Sequence, residues 1–422
     1  MTATTGRTGR VFDSIQRLQE LTVATFLRFP WLGWSVWLLF CVASLLRTAP
    51  RRFGSTFEAY LQAAHHFWHA QPIYVFSNLG DYLYWPVSLL VLGPLPELNA
   101  TVAAAIAMTV SAAVLTAACV VFVRTYMPGR STADALNSAG VLLMINIPAA
   151  WYNFKYVQAQ IGMTAFMMLA AAAMARRGWL MACFWLFLSI VTKPLSLVML
   201  LLCGATQPRM RLGLCLALLA ALLLPFAFAD VHYLAGEYRA WIAKLQQLAA
   251  VTPGQWPYQA DYATLLDTFH IDLPRSLQTG VRLAAALGTL WLVWRVARLK
   301  DTRIFGMAVM LFSACYITLF GPRNEFLSFL VLTPSLTALG LVLIDRDVRD
   351  QRGWALVAAA LVIGFHGALV VDRALKPFLT FVFLGWLIWL TLEPSRWLEL
   401  LMPRENPASV PRARETLSPA PG

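Results

Sequence analysis

The chain has 422 residues, of which 59% are hydrophobic and 13% are Asp, Glu, Lys or Arg. A soluble globular domain carries about 25% charged residues, so a soluble fold is excluded. The net charge of +12 is spread over short basic clusters between apolar runs, which argues against nucleic acid as a partner.

The apolar excess comes in blocks, beginning with Trp31 to Leu46 and Thr101 to Val123. Uncharged runs near 20 residues read as transmembrane helices. The first run starts near residue 31 and is long enough to span, so it is expected to be an anchor and not a cleaved signal. Basic clusters follow at Arg124 and Arg130, Arg176 and Arg177, Arg209 and Arg211, Arg295 to Arg303, and Arg346 to Arg352. The positive-inside rule puts these on the cytoplasmic side.

In chain order, residues 1–30 form a cytoplasmic segment and 31–47 cross outward. An outer loop, 48–97, leads to spans near 98–123, 135–150 and 161–175. The stretch Gly178 to Arg211 is basic at both ends and interrupted by Lys193-Pro194. Each apolar half is short for a span and Pro breaks the helix, so a re-entrant pair with Lys193 at its tip is expected. A crossing near 212–229 leads to a second outer loop, 230–276, where Tyr238, Trp241, Leu245 and Leu248 have helical spacing. Spans near 278–298, 304–320, 326–344, 354–371 and 375–392 close the bundle, and a tail, 393–422, rich in Pro, Arg and Ser, returns to the cytoplasm and is expected to be disordered. The expected fold is an all-α polytopic membrane bundle of about ten spans, the re-entrant pair and both termini inside. The six cysteines lie scattered in apolar segments without CxxC spacing and read as small hydrophobes.

The first outer loop is unusually polar for such a chain. Over Thr56 to Ala70, Phe57, Tyr60, Leu61, Ala64 and Trp68 form one helical stripe; Glu58, Gln62, His65 and His69 form another. This predicts an amphipathic helix in the membrane interface, with its polar side solvated or facing a cavity. The HHxxH spacing of His65, His66 and His69 suits zinc, but no further ligand stands out nearby and no metal is assigned. Asp81 lies among Tyr82, Tyr84 and Trp85, an arrangement common both to sugar sites and to interfacial aromatic belts.

This order of features resembles the type C glycosyltransferases, and among them glycosyltransferase family 87, whose members use polyprenyl-phosphate mannose. The resemblance rests on Thr56-Phe57-Glu58-Ala59-Tyr60, Ala63-Ala64, Ile73-Tyr74, Tyr84-Trp85-Pro86, Val157 to Gln160 and Lys193-Pro194. Asp81 to Pro86 and Gly321 to Glu325 look like elements of a bacterial subset. It implies a type C bundle at a bacterial inner membrane, acting on its outer, periplasmic face on a lipid or glycan acceptor, without a cofactor. One departure stands out: Thr56 occupies the position of the family's first-loop Asp, its catalytic base, and threonine cannot take a hydroxyl proton at neutral pH.

Inverting sugar transfer needs a base for the acceptor hydroxyl and cations or dipoles for the departing phosphate. Asp81 and then Glu58 are the candidate bases, each also readable as a solvated loop acid. Arg323 suits a phosphate, or pairs structurally with Glu325. Lys193 is costly within a membrane unless it is paired or faces a cavity. His66, Tyr84, Lys155, Gln158 and Gln160 are candidate substrate contacts, against ordinary interface polarity. The alternatives are a lipid-linked sugar carrier, which would concentrate polar groups at mid-membrane in symmetric halves, and a polyprenyl-phosphate-binding protein without activity.

Overall fold

Backbone groups in hydrocarbon must find partners within their own segment, so an apolar chain of this kind forms helices. The computed structural model describes residues 5–48, 55–74, 82–128, 130–249, 259–322, 324–367 and 371–401. Every regular element among them is helical, and the sole extended pairing in this set is an isolated antiparallel bridge between Gln259 and Glu325.

Helix α1 (Thr5–Arg28) meets α2 (Leu32–Thr48) at a 76° bend, where Pro30 interrupts the helix. The loop helix α3 (Ser55–Trp68) is followed by the short α4 (Val87–Leu92), with Pro86 before its first turn. Helix α5 (Ala100–Tyr126) starts on Asn99, whose side chain accepts from the Thr101 amide at 2.9 Å. Next, α6 (Thr132–Ile145) and α7 (Ile147–Lys155) bend by 61° ahead of Pro148. Helix α8 (Gln160–Ala175) leads to α9 (Trp179–Thr192), which ends at the extended Lys193. A residue before proline is driven out of the helical region, and Pro194 does this here.

The chain resumes as α10 (Leu197–Thr206) and α11 (Arg211–Leu223). Cys183, early in α9, donates its thiol to the Met210 carbonyl at 3.7 Å, so the chain comes back to the end it left. Helix α12 (Val231–Ala249) fulfils the helical spacing read in the second loop, and α13 (Tyr262–Thr268) follows. The bundle closes with α14 (Arg275–Ala297), α15 (Thr302–Phe320), α16 (Thr333–Arg346), α17 (Gln351–Gly364), α18 (Lys376–Leu392) and α19 (Ser395–Leu401). Helix α19 lies beyond Glu393, and its Trp397 is fully buried, donating to Thr391 Oγ1 at 3.1 Å.

Six helices among the described residues are long and apolar enough to cross a membrane, or up to eight if each bent pair counts as one span. The expected ten crossings included α8 and α17, of 16 and 14 residues. At about 1.5 Å per residue these are shorter than a hydrocarbon core of about 30 Å. Burial separates a hub from a periphery. The most apolar window of α15 is 89% buried and that of Phe326–Arg346 is 94% buried, while that of α14 is 22% buried. The exposed face of α11 carries Leu212, Leu216, Leu219 and Leu223, as lipid contact requires. Cys119, Cys183, Cys203 and Cys315 are buried, Cys41 is half-buried and Cys215 is exposed.

Candidate functional site

Of the apolar stripe read in α3, Phe57, Tyr60 and Ala64 are buried and Leu61 is half-buried, but Trp68 is exposed and Phe67 is buried in its place; Glu58 and Gln62 are exposed. This orientation turns Tyr60 inward, where burial pushes its phenol well above the ordinary value, with Tyr84 and the Glu325 carboxylate adding to the rise. Tyr60 therefore stays protonated. Its hydroxyl donates to Gln158 Oε1 at 3.2 Å and lies 2.9 Å from the Tyr84 hydroxyl. With its one proton given to Gln158, Tyr60 accepts from Tyr84.

Tyr84 is held from several directions. Its carbonyl accepts from the Tyr74 hydroxyl at 2.6 Å. The neighbouring Trp85 donates its indole N–H to the Ile190 carbonyl at 3.0 Å, tying the first loop to the end of α9. The Lys193 ammonium then stands 5.6 Å from the centre of the Tyr84 ring, within cation–π range. Tyr60, Tyr82 and Tyr84 lie ring to ring, with centroids 5.5 to 6.0 Å apart. The result is an aromatic wall, buried at Tyr60 and Tyr82 and half-buried at Tyr84, with hydroxyls, an amide and one ammonium along it.

Gln158 reaches this wall because the chain turns sharply after α7. Val157 sits at φ +48°, a left-handed conformation costly for a β-branched residue, and the Gln158 amide donates to the Asn153 carbonyl at 2.8 Å. Gln160, by contrast, is buried and donates to the Ser328 carbonyl at 3.2 Å, so it supports the turn Phe326–Val331. Glu325 begins that turn, half-buried, beside the buried Asn324. Asn324 exchanges hydrogen bonds with Ala260, from the Ala260 amide at 2.8 Å and to the Ala260 carbonyl at 3.0 Å. The second loop thereby fixes where Glu325 lies.

The remaining sequence candidates fall elsewhere or outside the description. Asp81 and Arg323 lie outside the described residues. Glu58 is exposed on α3. His66 donates Nδ1–H to the Pro72 carbonyl at 2.7 Å, closing the end of α3. Lys155 is exposed over Tyr152 and Tyr156, 5.2 Å from each ring centre.

Helix α12 is the clamp on this arrangement. Trp241 donates to the Leu83 carbonyl at 3.0 Å, Tyr233 to the Gln71 carbonyl at 2.7 Å, and Glu237 Oε2 accepts from the Ile73 amide at 3.0 Å. Burial raises the Glu237 carboxyl above its usual value, against the opposing pull of the amides it accepts from.

One polar cluster, packed against the turn Phe326–Val331, escaped the sequence reading. Lys376 is fully buried, 2.6 Å from Asp372 and 2.5 Å from His366 Nδ1. Its ammonium is 5.5 Å from the centre of the Phe326 ring, next to Glu325. The signal was present: Asp372 and Lys376 are four apart at the head of an apolar run, a spacing that pairs charges on a helix face.

No curated protein matches the chain. Residues 82–322, more than half of its length, match the family described as glycosyltransferase family 87. The matched region contains Tyr84, Gln158 and Lys193, and with the apolar helices around them the chain belongs to glycosyltransferase family 87 as a multi-pass membrane glycosyltransferase.

Proposed function

We propose that the protein moves a hexose, mannose first among the candidates, from a polyprenyl-phosphate donor to a lipid or glycan acceptor on the outer face of a bacterial inner membrane. In this reading the bundle is of the type C class, both termini are cytoplasmic, and α9 and α10 are a re-entrant pair carrying Lys193 to the reacting end. The observation that carries the reading is the meeting of Lys193 with Tyr84, Tyr60 and Gln158, drawn from four separate segments.

The acceptor oxygen attacks the anomeric carbon on the face opposite the phosphate. The bond from that carbon to the phosphate oxygen breaks, polyprenyl phosphate departs, and the acceptor proton passes to a carboxylate. Asp81 is the first candidate for that base and Glu58 the second, since Thr56 cannot serve. Lys193, with Arg323, balances the charge that grows on the leaving phosphate. Tyr84 and Gln158 offer hydroxyl and amide groups to the sugar against an aromatic wall. Gln160 and His66 act by holding their loops, and Lys155 and Glu325 are further candidate substrate contacts.

The test is transfer by the purified protein from labelled polyprenyl-phosphate hexoses to membrane-extracted acceptors. Product with inverted anomeric configuration is expected, and Lys193→Ala is expected to lower turnover by about 10²–10³-fold, the usual loss for one electrostatic partner of a leaving group. Donor binding without product from any hexose would identify a binding protein. Movement of intact donor across vesicle bilayers without bond-making would identify a carrier.

A further inference from the structure

The second stripe of α3 acquires a partner that its own periodicity does not contain. His65 and His69, one helical turn apart, meet Glu97, and one ligand atom from each of the three lies within 4.8 Å of the other two. Glu97 ends the short turn Leu95–Glu97, which leads through Asn99 into α5. The cluster thus joins two elements far apart in the first loop.

The histidine geometry favours a ligand role. His69 Nδ1 lies 2.9 Å from the His65 carbonyl. A carbonyl only accepts, so Nδ1 carries the proton and the lone pair of the neutral ring is on Nε2. Metal-bound histidines are oriented in this way, with the second ring nitrogen donating to a backbone carbonyl or carboxylate. The His65 and His69 rings stack with centroids 4.0 Å apart, so the two imidazoles already lie side by side on one face of α3. Tetrahedral zinc with bonds of about 2.0–2.1 Å sets ligand atoms about 3.3 Å apart. Closing the cluster onto an ion asks for side-chain shifts of about an ångström, within rotamer freedom at this partly exposed surface.

We infer that His65, His69 and Glu97 form a divalent transition-metal site, of which Zn²⁺ is the fitting ion, clamping α3 to the entry of α5. Two imidazoles and a carboxylate suit Zn²⁺ over Mg²⁺ or Ca²⁺, which take oxygen ligands. A fourth position is left for water. The clamp sits on the helix that presents Tyr60 and lies on the solvent side of it, so its part is positional. It stands independently of the sugar-transfer reading.

The test uses full-length protein in detergent, freed of any polyhistidine tag and stripped with chelator. Zn²⁺ is titrated against a chromophoric competitor, and Co²⁺ is added separately to record its visible spectrum. Wild type is expected to take up one ion and to show the intense bands of low-symmetry four-coordinate Co²⁺. His69→Ala and Glu97→Gln are expected to weaken Zn²⁺ binding by at least tenfold, while His232→Ala, on exposed α12, leaves it unchanged. No saturable binding by wild type, or binding that His69→Ala and Glu97→Gln leave unaltered, overturns the site. Because all the substitutions are on partly or fully exposed side chains, thermal unfolding of the stripped variants should match wild type, and only the zinc-induced rise in unfolding temperature should disappear.

Discussion

The behaviour of single residues here follows from which polar groups are buried together. Tyr60 is 7% exposed and its hydroxyl serves both Gln158 and Tyr84. Tyr60→Phe keeps the ring packing but strands the Gln158 oxygen, itself on a residue 7% exposed. An unpaired buried acceptor costs about 1–3 kcal/mol. The expected result is a lower unfolding temperature in detergent and a reduced rate of sugar transfer with donor binding kept. Transfer at the wild-type rate in Tyr60→Phe would remove the hydroxyl from the site. Glu237 carries a second prediction. Its carboxyl is raised, so the folded state holds that proton more readily than the unfolded state. The stability this contributes is full below the ordinary carboxyl range and is lost as pH climbs through the raised value. Glu237→Gln cannot ionise and still accepts from the Ile73 amide, so its stability relative to wild type should improve as pH rises through that window. Glu237→Ala leaves the buried Ile73 amide unpaired and should lose about 1–3 kcal/mol at any pH. Thermal unfolding of the three proteins at pH 4.5 and 8 would decide the matter; parallel pH profiles would contradict it.

At the scale of elements, close approach and helix breaks matter more than helix propensity. Helices α2 and α6 touch through Gly33 and Gly140: a Cβ added at Gly33 would lie 2.5 Å from the Gly140 carbonyl carbon. Backbone atoms cannot step aside as a side-chain end does. Trp34 also lies over Gly140 and donates to the Leu136 carbonyl at 2.9 Å. Small residues at such contacts let membrane helices pack on each other's backbones. Gly33→Ala is expected to cost about 1–3 kcal/mol through overpacking, and Gly33→Leu more. Gly280, with open space around it, should accept Ala without loss, and a comparison of unfolding temperatures tests both. The breaks act differently. Lys193-Pro194 ends α9 where the Ile190 carbonyl is taken by Trp85, so the break and the first loop lock together. The left-handed Val157 similarly aims Gln158 at Tyr60. In both places a strained or interrupted backbone sits next to the functional wall.

For the molecule as a whole, two properties combine: a buried hub of α8, α15 and α16, and an asymmetric distribution of charge. Arg130 pairs with Asp345, and Arg349 with Glu20 at 2.8 Å, so basic clusters from distant parts of the chain gather at one end. Lys193 and the tyrosine wall belong to the other end of α9 from Cys183, which lies by Met210 and the basic Arg209 and Arg211. If the basic end is cytoplasmic, a fluorescent protein fused after Gly422 should fluoresce, and an alkaline phosphatase fused there should be inactive. The reverse pattern would invert the orientation and put the proposed site on the cytoplasmic face.

Composition and periodicity alone determined the membrane class, most helices, the amphipathic α3 and the break at Lys193-Pro194, because each of these depends on residues near one another along the chain. Motif order pointed to the family for the same reason. Only the tertiary structure decided which polar groups meet. Nothing within α3 announces that Tyr60 joins Gln158, or that Glu97 comes beside His65 and His69. Nor does α18 announce that Lys376 comes to lie under Phe326. Helical periodicity reports the faces of one helix, whereas a site is assembled from the faces of several, and their rotations are set by packing across the whole bundle.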